Sequence, residues 1–186
     1  MSRSPEDGRT TCSSRSSTPR WTDRGPRREL PRGRRDPRRA APAGHRHLVR
    51  GTVLDASLAE AAPVLMTWGL HERCGLRPEP SAPRAAPGVE VVLRFAGVLR
   101  ISCQVVWTEE TPERAGFGYG SMPGHPERGE AAFVLDALDD GRTRFTVRSF
   151  SRPGTFAARV GGPVARSLQG RATDRFVAVM RESFAL

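Results

Sequence analysis

The sequence predicts an α+β protein in which a curved antiparallel sheet of about six strands packs against a long C-terminal helix. Apolar and polar residues alternate between Val89 and Ser151, which is typical of strands that bury one face. A helical segment with its own start signal precedes this region, and the last thirty residues repeat apolar side chains every four positions. One helix can cover the apolar face of a twisted sheet if the sheet curls around it.

Residues 1–43 are predicted to form a disordered tail, and residues 44–186 a single domain. The tail holds 12 of the 30 arginines and is rich in Ser, Pro and Gly, so it cannot bury enough apolar surface to fold. The chain has no lysine and no asparagine, which indicates a GC-rich codon bias behind its net charge of +10. We therefore expect no nucleic-acid binding beyond weak, nonspecific contacts of the tail.

The sequence indicates a cytoplasmic protein without a membrane span, a metal or a cofactor. Its most apolar stretch, Ala61–Leu70, is interrupted by Pro63 and is too short to cross a bilayer. Cys12, Cys74 and Cys103 are odd in number and widely spaced, which favours neither a disulfide framework nor a zinc site. No phosphate loop, zinc-protease motif, nucleophile elbow or RNA-binding aromatic signature is present in the sequence.

The domain is predicted to begin with a strand at 45–54 and a helix at 55–75. Ser57 and Glu60 have the spacing of a capping box, which marks the start of the helix, and a glycine ends it. The proline-rich segment 77–88 is predicted to be a loop.

Two strands with a common apolar face are predicted next. That face holds Val89, Val91, Leu93 and Phe95 in the first strand, and Leu99, Ile101, Cys103, Val105 and Trp107 in the second. Ala96-Gly97 is predicted to join them, and a third strand spans 116–122. Two further strands form a hairpin across Asp139-Asp140-Gly141.

A helix is predicted from about Pro163 onward, because proline is tolerated in the first helical turn. Its apolar stripe comprises Phe156, Val160, Val164, Leu168, Ala172, Phe176, Met180 and Phe184. We expect this stripe to cover the sheet.

This order of elements is similar to the helix-grip fold of the START and Bet v 1-like superfamily, whose members hold an apolar cavity between sheet and helix. The segments "TWGLHERCGL", "RISCQVVWTEETPERAGFGYGSMPGHPERGEAAFVL", "FTVRSFSRP" and "GGPVARSLQGRATDRFVAVMR" resemble the bacterial and plant domain-of-unknown-function family 1990. The resemblance covers residues 44–181 and is most specific from Gly116 to Glu130. It implies no biochemical activity, because none is established for the family.

Gly116, Gly118 and Gly120 fall on one face of the third strand, which creates a smooth track where a backbone or a ligand can approach closely. The simpler interpretation is that the terminal helix or a sharply curled sheet needs this space. The alternative is that the track lines a cavity. The candidate ligand-binding residues are then Gly116, Gly118, Gly120, Phe117, Trp107, Trp68 and His71.

His125 is the candidate acid or base. It lies in a turn of prolines and glycine, with Glu130 as a possible orienting partner and Tyr119 as a hydrogen-bond donor. The simpler interpretation is a histidine that hydrogen-bonds its own loop, since no nucleophile lies near it in the sequence.

Three functions are compatible with these features. The first is binding of a small apolar or amphipathic molecule between the sheet and the C-terminal helix. The second is an enzyme that acts on such a molecule through His125. The third is an interaction module that is tethered to nucleic acid by its basic tail. The sequence predicts no oligomeric state.

Overall fold

The computed structural model describes residues 46–97, 99–123, 125, 127–153 and 162–185. For residues 46, 127, 152–153 and 162–169 the backbone alone is described. The predicted tail lies outside the described residues, and so do Phe156 and Val160 of the predicted helical stripe.

Seven strands form one antiparallel sheet, and a long helix follows the last strand. The elements in chain order are β1 (Arg46–Leu54), α1 (Leu58–Met66), α2 (Gly69–Arg73), β2 (Arg77–Pro80), β3 (Glu90–Phe95), β4 (Leu99–Glu110), β5 (Arg114–Ser121), β6 (Glu127–Ala137), β7 (Thr143–Pro153) and α3 (Gly162–Glu182). The strand order is β1-β7-β6-β5-β4-β3-β2. The predicted helix-grip arrangement is confirmed, with one strand more than expected.

The additional strand is β2, in a segment that was predicted to be a loop. Pro78 and Pro80 of β2 pair with Leu93 and Val91 of β3 at the edge of the sheet. Proline is tolerated there because an edge strand needs only half of its backbone donors. The prediction of a loop was wrong because proline content excludes a central strand but not an edge strand.

The predicted helix 55–75 is two helices. Its start is confirmed, since the Glu60 carboxylate accepts hydrogen bonds from the Ser57 amide at 2.9 Å and the Ser57 hydroxyl at 2.7 Å. Trp68 then adopts a left-handed conformation, with φ of 69°, between α1 and α2. This conformation is rare for a bulky residue and is retained only where tertiary contacts compensate. The Trp68 side chain is 2% exposed, and its indole N–H donates to the Ala82 carbonyl at 3.3 Å.

The two predicted hairpins form as expected. Ala96 and Gly97 both have positive φ between β3 and β4, and Gly141 has a φ of 82° between β6 and β7. These turns tolerate such backbone angles because small residues or glycine occupy the critical positions.

A β-bulge in β4 changes which side chains share a face. Val105 pairs with Tyr119 of β5, so a regular ladder would pair Trp107 with Phe117, but Trp107 pairs with Gly118 instead. Trp107 therefore lies on the opposite face from Val105, and the prediction that both share one apolar face was wrong. A bulge inserts one extra residue, which shifts the alternation of everything beyond it.

We call the face that packs against the helices the inner face, and the other the outer face. Phe117, Phe133 and Phe145 are 0–1% exposed on the inner face. Phe95 and Leu99, which were predicted to lie in the same apolar row, are 50% and 44% exposed at the tip of the β3–β4 hairpin.

The C-terminal half of α3 closes the core. Met180 is fully buried, while Phe176 and Phe184 are partly buried against the core. Ala172 is exposed, contrary to the prediction, and Thr173 is buried in its place. A four-residue repeat drifts by about 40° per step around a helix of 3.6 residues per turn, so the stripe leaves the buried face.

Candidate functional site

Six rings form one cluster between the inner face and the helices. This aromatic cluster consists of Trp68, His71, Phe117, Tyr119, Phe133 and Phe176. The left-handed turn at Trp68 starts α2 and so directs His71 into the core, while β5 and β6 supply the rings of the cluster that lie on the sheet. The cluster thus joins α2, the sheet and α3.

His71 lies at the centre of the aromatic cluster and is 0% exposed. Its ring centroid is 5.2 Å from that of Phe176 and 5.3 Å from that of Phe133. Burial lowers the pKa of His71 from 6.5 to about 3, so the imidazole is neutral at pH 7. Its Nδ1 atom is buried and has no hydrogen-bond partner among the described residues.

Tyr119 is the polar neighbour of His71. The Tyr119 hydroxyl oxygen lies 3.5 Å from His71 Nε2, which is longer than the usual O–H hydrogen bond of about 2.7–2.8 Å. Burial raises the pKa of Tyr119 well above its ordinary value, and the neighbouring thiols of Cys103 and Cys74 raise it further. The phenol therefore stays protonated and can donate or accept a hydrogen bond.

The two thiols near Tyr119 are not activated. Burial raises the pKa of Cys103 to about 12. The pKa of Cys74 rises to about 11, again through burial and against the opposing effect of Arg175. Neither side chain supplies a thiolate nucleophile at neutral pH.

The inner face changes in side-chain size along the strands. Its bulky end carries Phe117, Phe133, Leu135, Phe145 and Val147, and the smaller Ala115, Ala137 and Thr143 follow them further along the same strands. Its other end carries five small residues, which we call the small-residue floor: Ser121, Gly129, Ala131, Ser149 and Ser151. The change occurs at the row in which Tyr119 pairs with Ala131, and Ala131 with Ser149.

The polar atoms of the small-residue floor differ in their partners. The Ser121 hydroxyl accepts from the Gly129 amide at 2.9 Å and lies 3.3 Å from the Gly129 carbonyl. The Ser149 hydroxyl is buried and has no hydrogen-bond partner among the described residues.

The glycine track lies on the outer face. A Cβ atom built on Gly118 would lie 2.6 Å from Cε2 of the Trp107 indole, so the indole covers this glycine. A Cβ on Gly116 would meet Cα of Val134 at 3.1 Å, whereas Gly120 has only ordinary contacts. The expectation that the track faces the terminal helix or an enclosed cavity beneath it is wrong, because Phe117 and Tyr119 take the inner positions of β5.

The structure does not bring the proposed catalytic residues together. Tyr119 lies on the inner face, but Glu130 pairs with Gly120 and lies on the outer face. His125 is half-buried, and its amide donates to the Met122 carbonyl at 3.1 Å in the turn before β6. A pair of groups separated by the sheet cannot act on the same substrate atom.

A groove of about 420 Å³ lies at the bulky end of the sheet, lined by Glu109, Thr111, Glu113, Arg114, Asp136 and Ala137. Its arginine already has carboxylate partners, because Arg114 donates to Asp136 at 2.6 Å and lies 3.8 Å from Glu109.

The part of the chain that the structure describes contains no group of three or more His, Cys, Asp or Glu side chains that could hold a metal ion. None of its helices is long and apolar enough to cross a membrane.

Residues 28–179 match the model of the family described as "Domain of unknown function (DUF1990)". This chain belongs to the DUF1990 family. The match begins before residue 44, so part of the predicted tail lies within the DUF1990 region, which corrects the narrower span expected from the sequence motifs.

Two curated relatives are UPF0548 proteins. A UPF0548 protein from Deinococcus radiodurans is 30% identical over 148 residues, which cover 73% of this chain and 75% of the relative. A UPF0548 protein from Dictyostelium discoideum is 31% identical over 70 residues, which cover 34% of this chain and 32% of the relative.

Solved structures share the fold of this DUF1990 chain. A hypothetical protein from Helicobacter pylori aligns with a TM-score of 0.60 and 8% identity over 75% of this chain and 88% of its own. A protein from Mesorhizobium loti aligns with a TM-score of 0.51 and 13% identity over 76% of this chain and 100% of its own. At these identities the likeness shows the fold alone.

The sequence pattern indicated Trp68, His71, Phe117 and Tyr119 as separate candidate residues, without showing that their rings form one cluster. It missed Phe133, Phe176, Ala131 and Ser149. The alternation of β6 and β7 contains the decrease in side-chain size. The pairing that aligns the small residues with one another is a long-range feature, which alternation does not reveal.

Proposed function

We propose that this protein works in the cytoplasm and binds a small apolar or amphipathic molecule between the inner face of its sheet and α3. The observation that carries the proposal is the change from bulky to small side chains along that face. Large side chains fill the space under a covering helix, whereas serine, alanine and glycine leave room beneath it.

The path of α3 supports this location. At its C-terminal half the helix is tied down, because Arg175 donates to the Cys74 carbonyl at 3.0 Å and Asp174 pairs with Arg50 at 2.9 Å. The strand β7 ends at the small-residue end of the sheet, and α3 begins at Gly162. The helix from Gly162 to the anchored Asp174 is about 18 Å long, at a rise of 1.5 Å per residue. We infer that the first turns of α3 pass over the small-residue floor.

Apolar side chains flank the same end. Ile101 is partly buried in phase with Cys103 on β4. Phe95 and Leu99 pair across the β3–β4 hairpin and are about half exposed. Exposed aromatic and aliphatic groups beside a small-residue floor suit an apolar ligand body, since its burial would remove both surfaces from water.

Two neighbouring alanines provide the test. Ala131 lies on the small-residue floor, whereas Ala132 lies on the outer face between Gly118 and Arg148. We expect the purified protein to bind the neutral fluorescent probe N-phenyl-1-naphthylamine. Ala131→Leu should reduce that binding at least about tenfold by filling the floor, and the matched control Ala132→Leu should not.

Native mass spectrometry of gently purified protein should also detect a bound small molecule. The proposal fails if the probe does not bind, or if Ala131→Leu and Ala132→Leu bind it as well as the parent while thermal unfolding shows that both are folded.

A further inference from the structure

The row of residues that separates the aromatic cluster from the small-residue floor carries polar groups on both sides of an alanine. Tyr119 pairs with Ala131, and Ala131 with Ser149, so the tyrosine and the serine flank Ala131 on the same face. Strands in a sheet are about 4.8 Å apart, which places the two backbone positions about 10 Å from each other. That separation fits one polar group of a ligand between the two side chains.

Both flanking hydroxyls have unused hydrogen-bonding capacity. The Ser149 hydroxyl is buried without a partner among the described residues. Tyr119 is 8% exposed, and among the described residues its hydroxyl has only the long 3.5 Å contact with His71 Nε2. Buried hydroxyls in proteins almost always have a partner, so two such groups in one row indicate a site for a hydrogen-bonding ligand.

The surroundings of this row carry no compensating charge among the described side chains that contact it. The neutral ring of His71 packs against the other five rings of the aromatic cluster. Besides the neutral imidazole of His71, the titratable groups that act on Tyr119 are the thiols of Cys103 and Cys74, which stay protonated. On the side of the helices, Arg50 of the edge strand β1 pairs with Asp174 of α3, so each charge already has a partner. A charged ligand group would therefore be buried without a partner among the described side chains, which is strongly unfavourable.

We propose that the ligand is an uncharged amphiphile whose hydroxyl or carbonyl group lies over Ala131 and hydrogen-bonds to Tyr119 and Ser149, with its apolar body over the small-residue floor. This inference rests on the proposed function, because it names the chemical class that the same site accepts. The site therefore binds ionised fatty acids and amines more weakly than an uncharged amphiphile of the same chain length.

The test compares three ligands of equal chain length: 1-decanol, decanoate and decylammonium. Each is used at pH 8 to displace N-phenyl-1-naphthylamine from the full-length protein. We expect 1-decanol to bind at least about 100-fold more tightly than either ion, the scale of an unpaired buried charge. Equal or tighter binding of decanoate or decylammonium overturns the inference and leaves the proposed function in place.

Variants locate the polar contact. Tyr119→Phe and Ser149→Ala should each weaken 1-decanol binding about fivefold, the worth of one hydrogen bond between neutral groups, after correction for each variant's own affinity for the probe. Thr143→Val is the matched control, because it removes another buried hydroxyl that lacks a described partner, at the opposite end of β7. If Tyr119→Phe and Ser149→Ala change 1-decanol binding no more than Thr143→Val does, the assignment is wrong. If neither probe nor 1-decanol binds the parent, the proposed function fails as well.

Discussion

Adding one methyl group at Gly118 should destabilise the protein only while Trp107 is present. The Cβ of Gly118→Ala would lie 2.6 Å from Cε2 of the Trp107 indole, whereas ordinary carbon contacts begin at about 3.4 Å. The indole or the strand must move by almost 1 Å, and overpacking of this kind costs about 1–3 kcal/mol.

A double-mutant cycle isolates this effect. In a Trp107→Ala background the clash is absent, and Gly118→Ala should be neutral or stabilise the protein by about 0.5 kcal/mol, because alanine restricts the unfolded chain more than glycine does. The coupling between the two positions should therefore be about 1–3.5 kcal/mol. Urea unfolding followed by circular dichroism measures it without relying on tryptophan fluorescence.

The cycle also needs a control and a refuting outcome. Gly170→Ala lies on α3, where the added Cβ would meet no described atom within 4 Å apart from its chain neighbours and the backbone of its own helix, so it should have the same small effect in both backgrounds. If the effects of Gly118→Ala and Trp107→Ala on the free energy of unfolding add within about 0.5 kcal/mol, the two residues do not touch. That result would refute the β-bulge that places Trp107 over the glycine.

Three further outcomes follow from burial and backbone contacts. The pKa of His71 is about 3 in the folded protein and 6.5 in the unfolded chain, so the unfolded chain takes up the proton first as the pH falls. Lowering the pH from 7 to 5 should therefore destabilise the parent by about 2 kcal/mol more than it destabilises His71→Phe. Urea unfolding at both pH values measures this difference. Gly129→Ala should lower the melting temperature by several degrees, since the new Cβ would lie 2.7 Å from a Cα atom of β7, and an unchanged melting temperature would contradict that close approach. In a Cys12→Ser variant, Ellman's reagent at pH 8 should label Cys74 and Cys103 only after denaturation. Both thiols are at most 5% exposed and have raised pKa values. Rapid labelling of the native protein would show that the core opens.

The sequence by itself determined the features that depend on neighbouring residues. The Ser57–Glu60 capping box involves residues three apart, and the turn at Ala96-Gly97 depends on which residues tolerate positive φ. Alternation within each strand and the four-residue repeat near the C-terminus follow from backbone geometry alone. These signals were sufficient for the helix-grip arrangement, because few architectures bury one sheet face with one long helix.

Tertiary structure decided where the chain departs from local preference. Trp68 takes a left-handed conformation because its buried indole contributes more than the local conformational cost. The same turn brings His71 to Tyr119, which lies 48 residues away in the sequence. Neither the turn nor the contact has a signal within a short window, since both depend on packing against β5.

The orientation of the glycine track was also a tertiary outcome. Alternation alone showed that Gly118 and Phe117 lie on opposite faces, but not which face meets the helices. A single extra residue near Val106 places Trp107 over Gly118 and leaves Phe117 in the core. Strand pairing sets this register by burying the bulky side chains together, and that energy depends on partners far apart in the chain.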